Sequence, residues 1–187
     1  LRHVDLILVE DTRSFQILAR RFHIDRPLRS YFEHNEKQRA PEIVELLKSG
    51  KRVALVSEAG TAAISDPGYR VVRVCREAGV AVTGVPGPNA AIFALSVSGL
   101  PSDKFTFQGF LPQRPGRRLS TIGALLSLEG TSILYESPFR LVKTLADIGR
   151  LAPNRDVFVA RELTKLHEEC AWGKVEEVLT KFQKRDS

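Results

Sequence analysis

Apolar positions along this chain fall into short runs separated by stripes of helical spacing. Val4–Val9 is an apolar run that reads as a strand, and the stretch after it predicts a helix over Ser14–Phe22, capped by Asp11 or Thr12. A short extended piece follows around Leu28–Phe32. Pro41 is placed at the first turn of a helix whose Ile43, Val44, Leu46 and Leu47 face inward and which Gly50 closes. Val53-Ala54-Leu55-Val56 has the continuous apolar character of a strand buried on both faces. A helix over Tyr69–Ala78, a strand over Val80–Val85 and a helix over Ala90–Ser98 complete an alternating order, the signature of a parallel sheet.

Gly99-Leu100-Pro101-Ser102-Asp103 interrupts that rhythm, which places a domain boundary at 102/103. Beyond it, Phe105–Phe110 alternates as a half-buried strand and Arg114–Arg118 reads as a basic loop rich in chain breakers. Strands over Thr131–Tyr135 and Asp156–Ala160 flank a helix over Arg140–Ile148. A last helix over Lys174–Phe182 places Val175, Val178, Leu179 and Phe182 on one face. The expected architecture is α/β with two domains, a parallel-sheet domain over 1–102 and a smaller mixed-sheet domain over 103–187.

Two exits from predicted strands stand out. Ser57-Glu58-Ala59-Gly60-Thr61, continued by Ile64-Ser65-Asp66-Pro67-Gly68, and Pro86-Gly87-Pro88-Asn89-Ala90 are small-residue loops at the carboxyl ends of strands. Ligands of open α/β sheets bind there, and small residues admit a ligand close to backbone N–H and C=O groups. The same residues also serve a plain strand-to-helix turn.

Composition narrows the classes. The 187 residues are 43% hydrophobic and 27% charged, as in a globular protein with a real core. No apolar run approaches the roughly 20 residues that cross a bilayer, so no membrane association is expected. Cys75 and Cys170 show no metal-type spacing and the four histidines are scattered, so no metal is expected and a reducing cytoplasm is. The net charge of +6 permits a polyanionic partner. Arg114, Arg117 and Arg118 suit phosphate contacts or an ordinary solvated loop equally.

Four stretches carry more than pattern: VEDTRSFQILARRF, HNEKQ, SEAGTAAISDPGYRVVRVCREAGV with VPGPNAAIFALSVSGLPSDKFTFQGFLP, and YESPFR followed by ARELTK. In this order, over almost the whole chain, they resemble the tetrapyrrole methylase superfamily, and most closely its ribosomal branch. The resemblance implies two α/β domains, S-adenosylmethionine (SAM) converted to S-adenosylhomocysteine, a homodimer, and 2′-O-methylation of a cytidine ribose in 16S rRNA of the small subunit. A tetrapyrrole C-methyltransferase and a non-catalytic SAM-binding module are the alternatives. By the same resemblance, the family's first strand would precede Leu1 and a closing strand would follow Ser187.

Carried onto this sequence, the resemblance assigns Gly60, Thr61, Ile64, Ser65, Pro86, Gly87, Asn89, Ala90, Ala94 and Ser96 to the cofactor. Glu58, Ala62 and Ala63 depart from the family's usual Asp-Ala-Gly-Thr-Pro-Leu loop. Methyl transfer to a ribose hydroxyl needs proximity and removal of a proton. Glu10, Asp11, Glu58 and Glu162 are the candidate catalytic carboxylates, each of which also suits a helix cap or ion pair. Arg13, Asn35, Arg114, Arg117, Arg118, Arg140 and Lys165 are the candidate RNA contacts.

Overall fold

The computed structural model describes residues 1–184, so the last three residues of the expected second domain lie outside the described part. The chain divides into two compact units, Leu1–Pro88 and Asn89–Ser187. The boundary thus precedes the helix Ala90–Val97, which packs on a strand of the second unit, and that unit is not the smaller one.

The first unit has three parallel strands, β1 (Leu6–Val9), β2 (Leu28–Ser30) and β3 (Val53–Val56), in the order β2-β1-β3. Helices α1 (Thr12–Arg21) and α2 (Glu36–Lys48) supply the two crossovers, and α3 (Tyr69–Glu77) follows β3. β1 is the central strand and all four of its residues are buried. Leu6 and Leu8 pack with Tyr31, Ile43, Val44, Val71 and Cys75, while Ile7 and Val9 pack with Phe15 and Ala19. Both faces are covered, which is why the run is apolar without alternation. β3, expected to be buried on both faces, is the sheet's edge and only half-buried.

Two expectations are corrected here. α2 begins at Glu36, a turn before Pro41, which lies inside the helix. The earlier start follows from Asn35, whose Oδ1 accepts the Phe32 N–H at 2.9 Å and whose Nδ2 donates to the Ser30 carbonyl at 3.2 Å. That bracket turns the chain into the helix before the proline is reached. Val80–Val85 forms no strand among the described residues. Val80 and Val82 do pack against the core, but the segment has no ladder partner and Val85 is 91% exposed.

The second unit begins with α4 (Ala90–Val97), followed by β4 (Phe105–Phe110), α5 (Pro115–Leu126), β5 (Thr131–Tyr135), α6 (Pro138–Leu151), β6 (Asp156–Arg161), β7 (Glu169–Lys174) and α7 (Val175–Gln183). β4 and β5 pair in parallel, and β6 and β7 form an antiparallel hairpin. Leu145, Ala171, Val175, Val178 and Phe182 make one core cluster, and Leu111, Ile122 and Leu125 make another.

α5 and β7 have no counterpart in the sequence-based expectation. The segment taken for a basic loop is the start of α5, with Pro115 at its first turn, where the missing N–H costs nothing. β7 (ECAWGK) has little strand character of its own and owes its place to the hairpin with β6. No helix among the described residues is long and apolar enough to cross a membrane.

Candidate functional site

In the first unit the two small-residue loops meet. Thr61 Oγ1 donates toward the Pro88 carbonyl at 3.0 Å and the Gly87 carbonyl at 3.4 Å, and Ser57 Oγ donates to the Gly60 carbonyl at 3.0 Å. Gly60 has φ +78, and a Cβ there would stand 3.3 Å from the Pro88 oxygen. Backbone therefore approaches backbone with only the Thr61 hydroxyl bridging the two loops, a cradle suited to close approach of a nucleoside ligand such as SAM. Ala63 (φ 66) and Ser65 (φ 58) also occupy the left-handed region, as do Gly60 and Gly68. Non-glycine residues held there cost about 1–3 kcal/mol each and cluster at ligand sites. Ile64 is exposed, and burial holds the Asp66 carboxyl above the usual carboxylate range.

Asn89 begins the second unit and caps α4, its side chain accepting the Ile92 N–H at 3.1 Å. Ser96 Oγ donates back to the Phe93 carbonyl at 2.8 Å. Ala90 and Ala94 line a groove of about 870 Å³ that also touches Glu136, Arg161 and Glu162. The groove contacts every residue of 130–136 and of 154–163, so it runs along the edges of β5 and β6 rather than over one face.

The candidate carboxylates differ sharply. Asp11 caps α1: its Oδ1 accepts the Arg13 N–H at 2.8 Å and stands 3.6 Å from the Arg13 guanidinium Nε. That backbone hydrogen bond, aided by the Arg13 charge, holds its carboxyl below the usual range and makes it a weak base. Glu10 and Glu58 are exposed at the tips of the β1 and β3 exits. Glu162, with φ 50, pairs with Lys165 at 3.3 Å.

Among the expected RNA contacts, Arg118 is corrected outright. It is 3% exposed and its guanidinium is bound to Asp147 of α6, at 2.7 Å from Nε and 2.5 Å from Nη2. The arginine triplet opens a helix, so its third member turns inward while Arg114 and Arg117 stay exposed. Arg140 is likewise engaged, donating to the Leu111 and Pro112 carbonyls and pairing with Glu136 at 3.3 Å. Asn35 braces the start of α2, as described above. Arg13 and Lys165 remain exposed.

Sequence reasoning passed over Glu36, a 6%-exposed carboxylate at the start of α2, although it stands inside the HNEKQ stretch. An acid in the first turn of a helix has an ordinary dipole explanation, so only its burial singles it out. Among the described residues no three His, Cys, Asp or Glu side chains gather as a metal ion would require.

The carboxylates set a pH dependence for stability. Asp5 Oδ2 accepts the Arg52 N–H at 2.7 Å with Lys51 nearby, and Asp5, like Asp11, titrates below the ordinary 3.8. A depressed folded-state pKa stabilises fully above the unfolded value, and that contribution disappears as pH falls through the folded value. Urea midpoints are therefore expected to drop as pH falls below about 4, and Asp5→Asn with Asp11→Asn should flatten the slope. Asp66 acts with the opposite sign, its raised pKa weakening the fold as pH rises past 3.8.

Residues 1–179 match the family described as Tetrapyrrole (Corrin/Porphyrin) Methylases. Ribosomal RNA small subunit methyltransferase I of Thermotoga maritima is 48% identical over 99% of this chain and 83% of its own length. The proteins of that name from Escherichia coli O157:H7 and Vibrio cholerae are 47% and 45% identical over 96% and 100% of this chain, which spans 63% and 65% of their lengths. Among solved structures, a diphthine synthase aligns with TM-score 0.71 at 16% identity, over 96% of this chain and 75% of its own. A uroporphyrin-III C-methyltransferase from Thermus thermophilus, complexed with S-adenosylhomocysteine, aligns with TM-score 0.59 at 16% identity, over 97% and 81%. These structural likenesses establish the α/β fold. The chain belongs to the tetrapyrrole methylase family and, within it, to the group of the ribosomal RNA small subunit methyltransferase I proteins.

Proposed function

We propose that this protein is a SAM-dependent methyltransferase that methylates the 2′-oxygen of a cytidine ribose in 16S rRNA of the small ribosomal subunit, in the cytoplasm. The observation that carries the reading is the 48% identity to the Thermotoga maritima relative over 99% of this chain, and the crossing of Gly60-Thr61 with Gly87-Pro88 is where we place the cofactor. SAM, bound there, supplies an electrophilic methyl group. The chain's own part is to hold the nucleoside against backbone, with Ile64 offering apolar surface and Ser65 and Pro86 shaping the rim. The family resemblance also assigns Asn89, Ala90, Ala94 and Ser96 to the cofactor.

Attack by a ribose hydroxyl needs its proton to depart, and Glu58 and Glu10, exposed and beside the loops, are better placed as acceptors than Asp11. Glu162 is held for the acceptor side with Lys165. Arg13, Arg114, Arg117 and Lys165, all exposed, would neutralise phosphates, so RNA affinity should fall steeply with salt. A homodimer is part of the proposal, supported by Ile17, Leu18 and Phe22, apolar yet exposed along and just beyond α1. Light scattering giving a monomer mass up to millimolar concentration would contradict it.

The experiment offers methyl-labelled SAM with small ribosomal subunits in one tube and a reduced uroporphyrinogen in another. Label in RNA alone is expected. Label in the tetrapyrrole alone would overturn the substrate.

A further inference from the structure

The loop from Ser57 to Gly68 holds four residues at positive φ, a conformation that persists only where its surroundings over-determine it. Its last residue is the most constrained. Gly68 has φ +139, and a Cβ there would stand 2.5 Å from Leu55 Cδ2 and 3.1 Å from Ala63 Cβ. Gly68 is thus wedged between the strand that enters the loop and the middle of the loop itself. It is also the residue from which α3 springs, and glycine has no side chain with which to cap a helix.

The missing cap comes from elsewhere. The Gly68 N–H donates to the Glu36 carboxylate at the start of α2, and the other carboxylate oxygen lies 3.6 Å from Arg70 Nε in the first turn of α3. Glu36 is 6% exposed, whereas the neighbouring acid Glu42 forms an exposed pair with Arg29 at 3.5 Å. A buried charge is retained only when paired and hydrogen-bonded, and this one sits where α3's dipole is positive. Tyr31, 1% exposed, lies beside it with its hydroxyl near the Val71 N–H but without a closed hydrogen bond. Burial and the Glu36 charge push that phenol up to about 12, so it stays neutral against the carboxylate.

We infer that Glu36 is a positioning residue for the cofactor loop: by fixing Gly68 it sets the path of residues 57–68 that brings Gly60 and Thr61 against Gly87 and Pro88. This rests on the reading of that crossing as part of the cofactor site. In this role Glu36 acts through Gly68 rather than on the ligand itself. A carboxylate suits this place because one oxygen accepts the buried Gly68 N–H while the other faces the half-exposed Arg70 guanidinium.

The test compares Glu36→Gln, Gly60→Val and the control Glu42→Gln in the intact protein. S-adenosylhomocysteine is titrated by calorimetry, and hydrogen exchange is followed across residues 57–68 and β1. Glu36→Gln should weaken binding about tenfold, which corresponds to about 1.4 kcal/mol. It should also speed exchange in the loop while leaving β1 amides protected, and Glu42→Gln should change neither. In turnover, KM for SAM should rise with kcat within about twofold. Glu36→Ala should extend the loss, and if it does not fold the glutamine variant decides alone. A lowered Tm with unchanged affinity and loop exchange would make Glu36 a structural cap only and overturn the inference. Unchanged affinity in Gly60→Val would instead show that the cofactor site itself is misplaced.

Discussion

Gly60→Val is expected to abolish measurable binding of S-adenosylhomocysteine while leaving the far-ultraviolet circular dichroism of the protein essentially intact. Two effects act in the same direction. At φ +78 a β-branched residue occupies a backbone region that costs an L-residue about 1–2 kcal/mol. Its Cβ would also stand 3.3 Å from the Pro88 carbonyl, and its methyl groups would press into the crossing where Thr61 Oγ1 bonds Pro88. Neither change touches the core strands, since Leu8, Ile7 and Tyr31 lie elsewhere in the unit. A loss of at least about 100-fold, or about 2.7 kcal/mol, is the expected reading in titration calorimetry. An unchanged Kd would remove Gly60 from the cofactor site.

Asp147→Ala should strongly destabilise the second unit. The Arg118–Asp147 pair joins α5 to α6 with side chains 4% and 11% exposed, so truncation strands a guanidinium away from water. Breaking such a pair costs about 3–5 kcal/mol. Arg118→Met combined with Asp147→Leu removes both charges and should recover most of that loss, because the pair's desolvation cost disappears with it. The exposed pair Lys104–Glu129, 2.8 Å apart with side chains 60% and 78% exposed, is the contrast: Glu129→Ala should stay within about 1 kcal/mol. Urea unfolding of the three variants separates these expectations. A loss for Asp147→Ala no larger than that for Glu129→Ala would contradict the account of Arg118.

Much of the fold was legible because packing and pattern agree. β3, β4 and β5 fall where their apolar runs predicted them, and α3 and α7 match to within a residue or two. The failures occur where tertiary context outweighs local preference. Pro41 signals a helix start, yet the Asn35 bracket starts α2 a turn earlier. Val80–Val85 has every strand propensity and no partner, whereas Glu169–Lys174 has little propensity and pairs because β6 lies alongside it.

The candidate site divides in the same way. Gly60-Thr61 and Gly87-Pro88 were grouped because both were read as strand exits; the hydrogen bonds of Thr61 join them although the segment before Pro86 forms no strand among the described residues. The charged residues were harder to read, because a charge in a sequence does not reveal its partner. Arg118, Arg140 and Asn35 were taken for RNA contacts and are engaged by Asp147, by the Leu111 and Pro112 carbonyls, and by Phe32 and Ser30. Glu36 showed the reverse: an unremarked acid that burial and a glycine N–H single out.

Ribose methylation of ribosomal RNA leaves a chemical signature in the product that other methylations do not. Small ribosomal subunits incubated with the protein and methyl-labelled SAM are stripped to RNA, hydrolysed in alkali and digested to nucleosides for mass spectrometry. A 2′-O-methyl group blocks attack of that oxygen on the adjacent phosphate, so the labelled residue should survive alkali as a dinucleotide and then appear as a ribose-methylated cytidine. Glu58→Ala should lower this yield more than it lowers S-adenosylhomocysteine affinity. Label recovered on a base, on protein or on a tetrapyrrole, with none on ribose, would contradict the account.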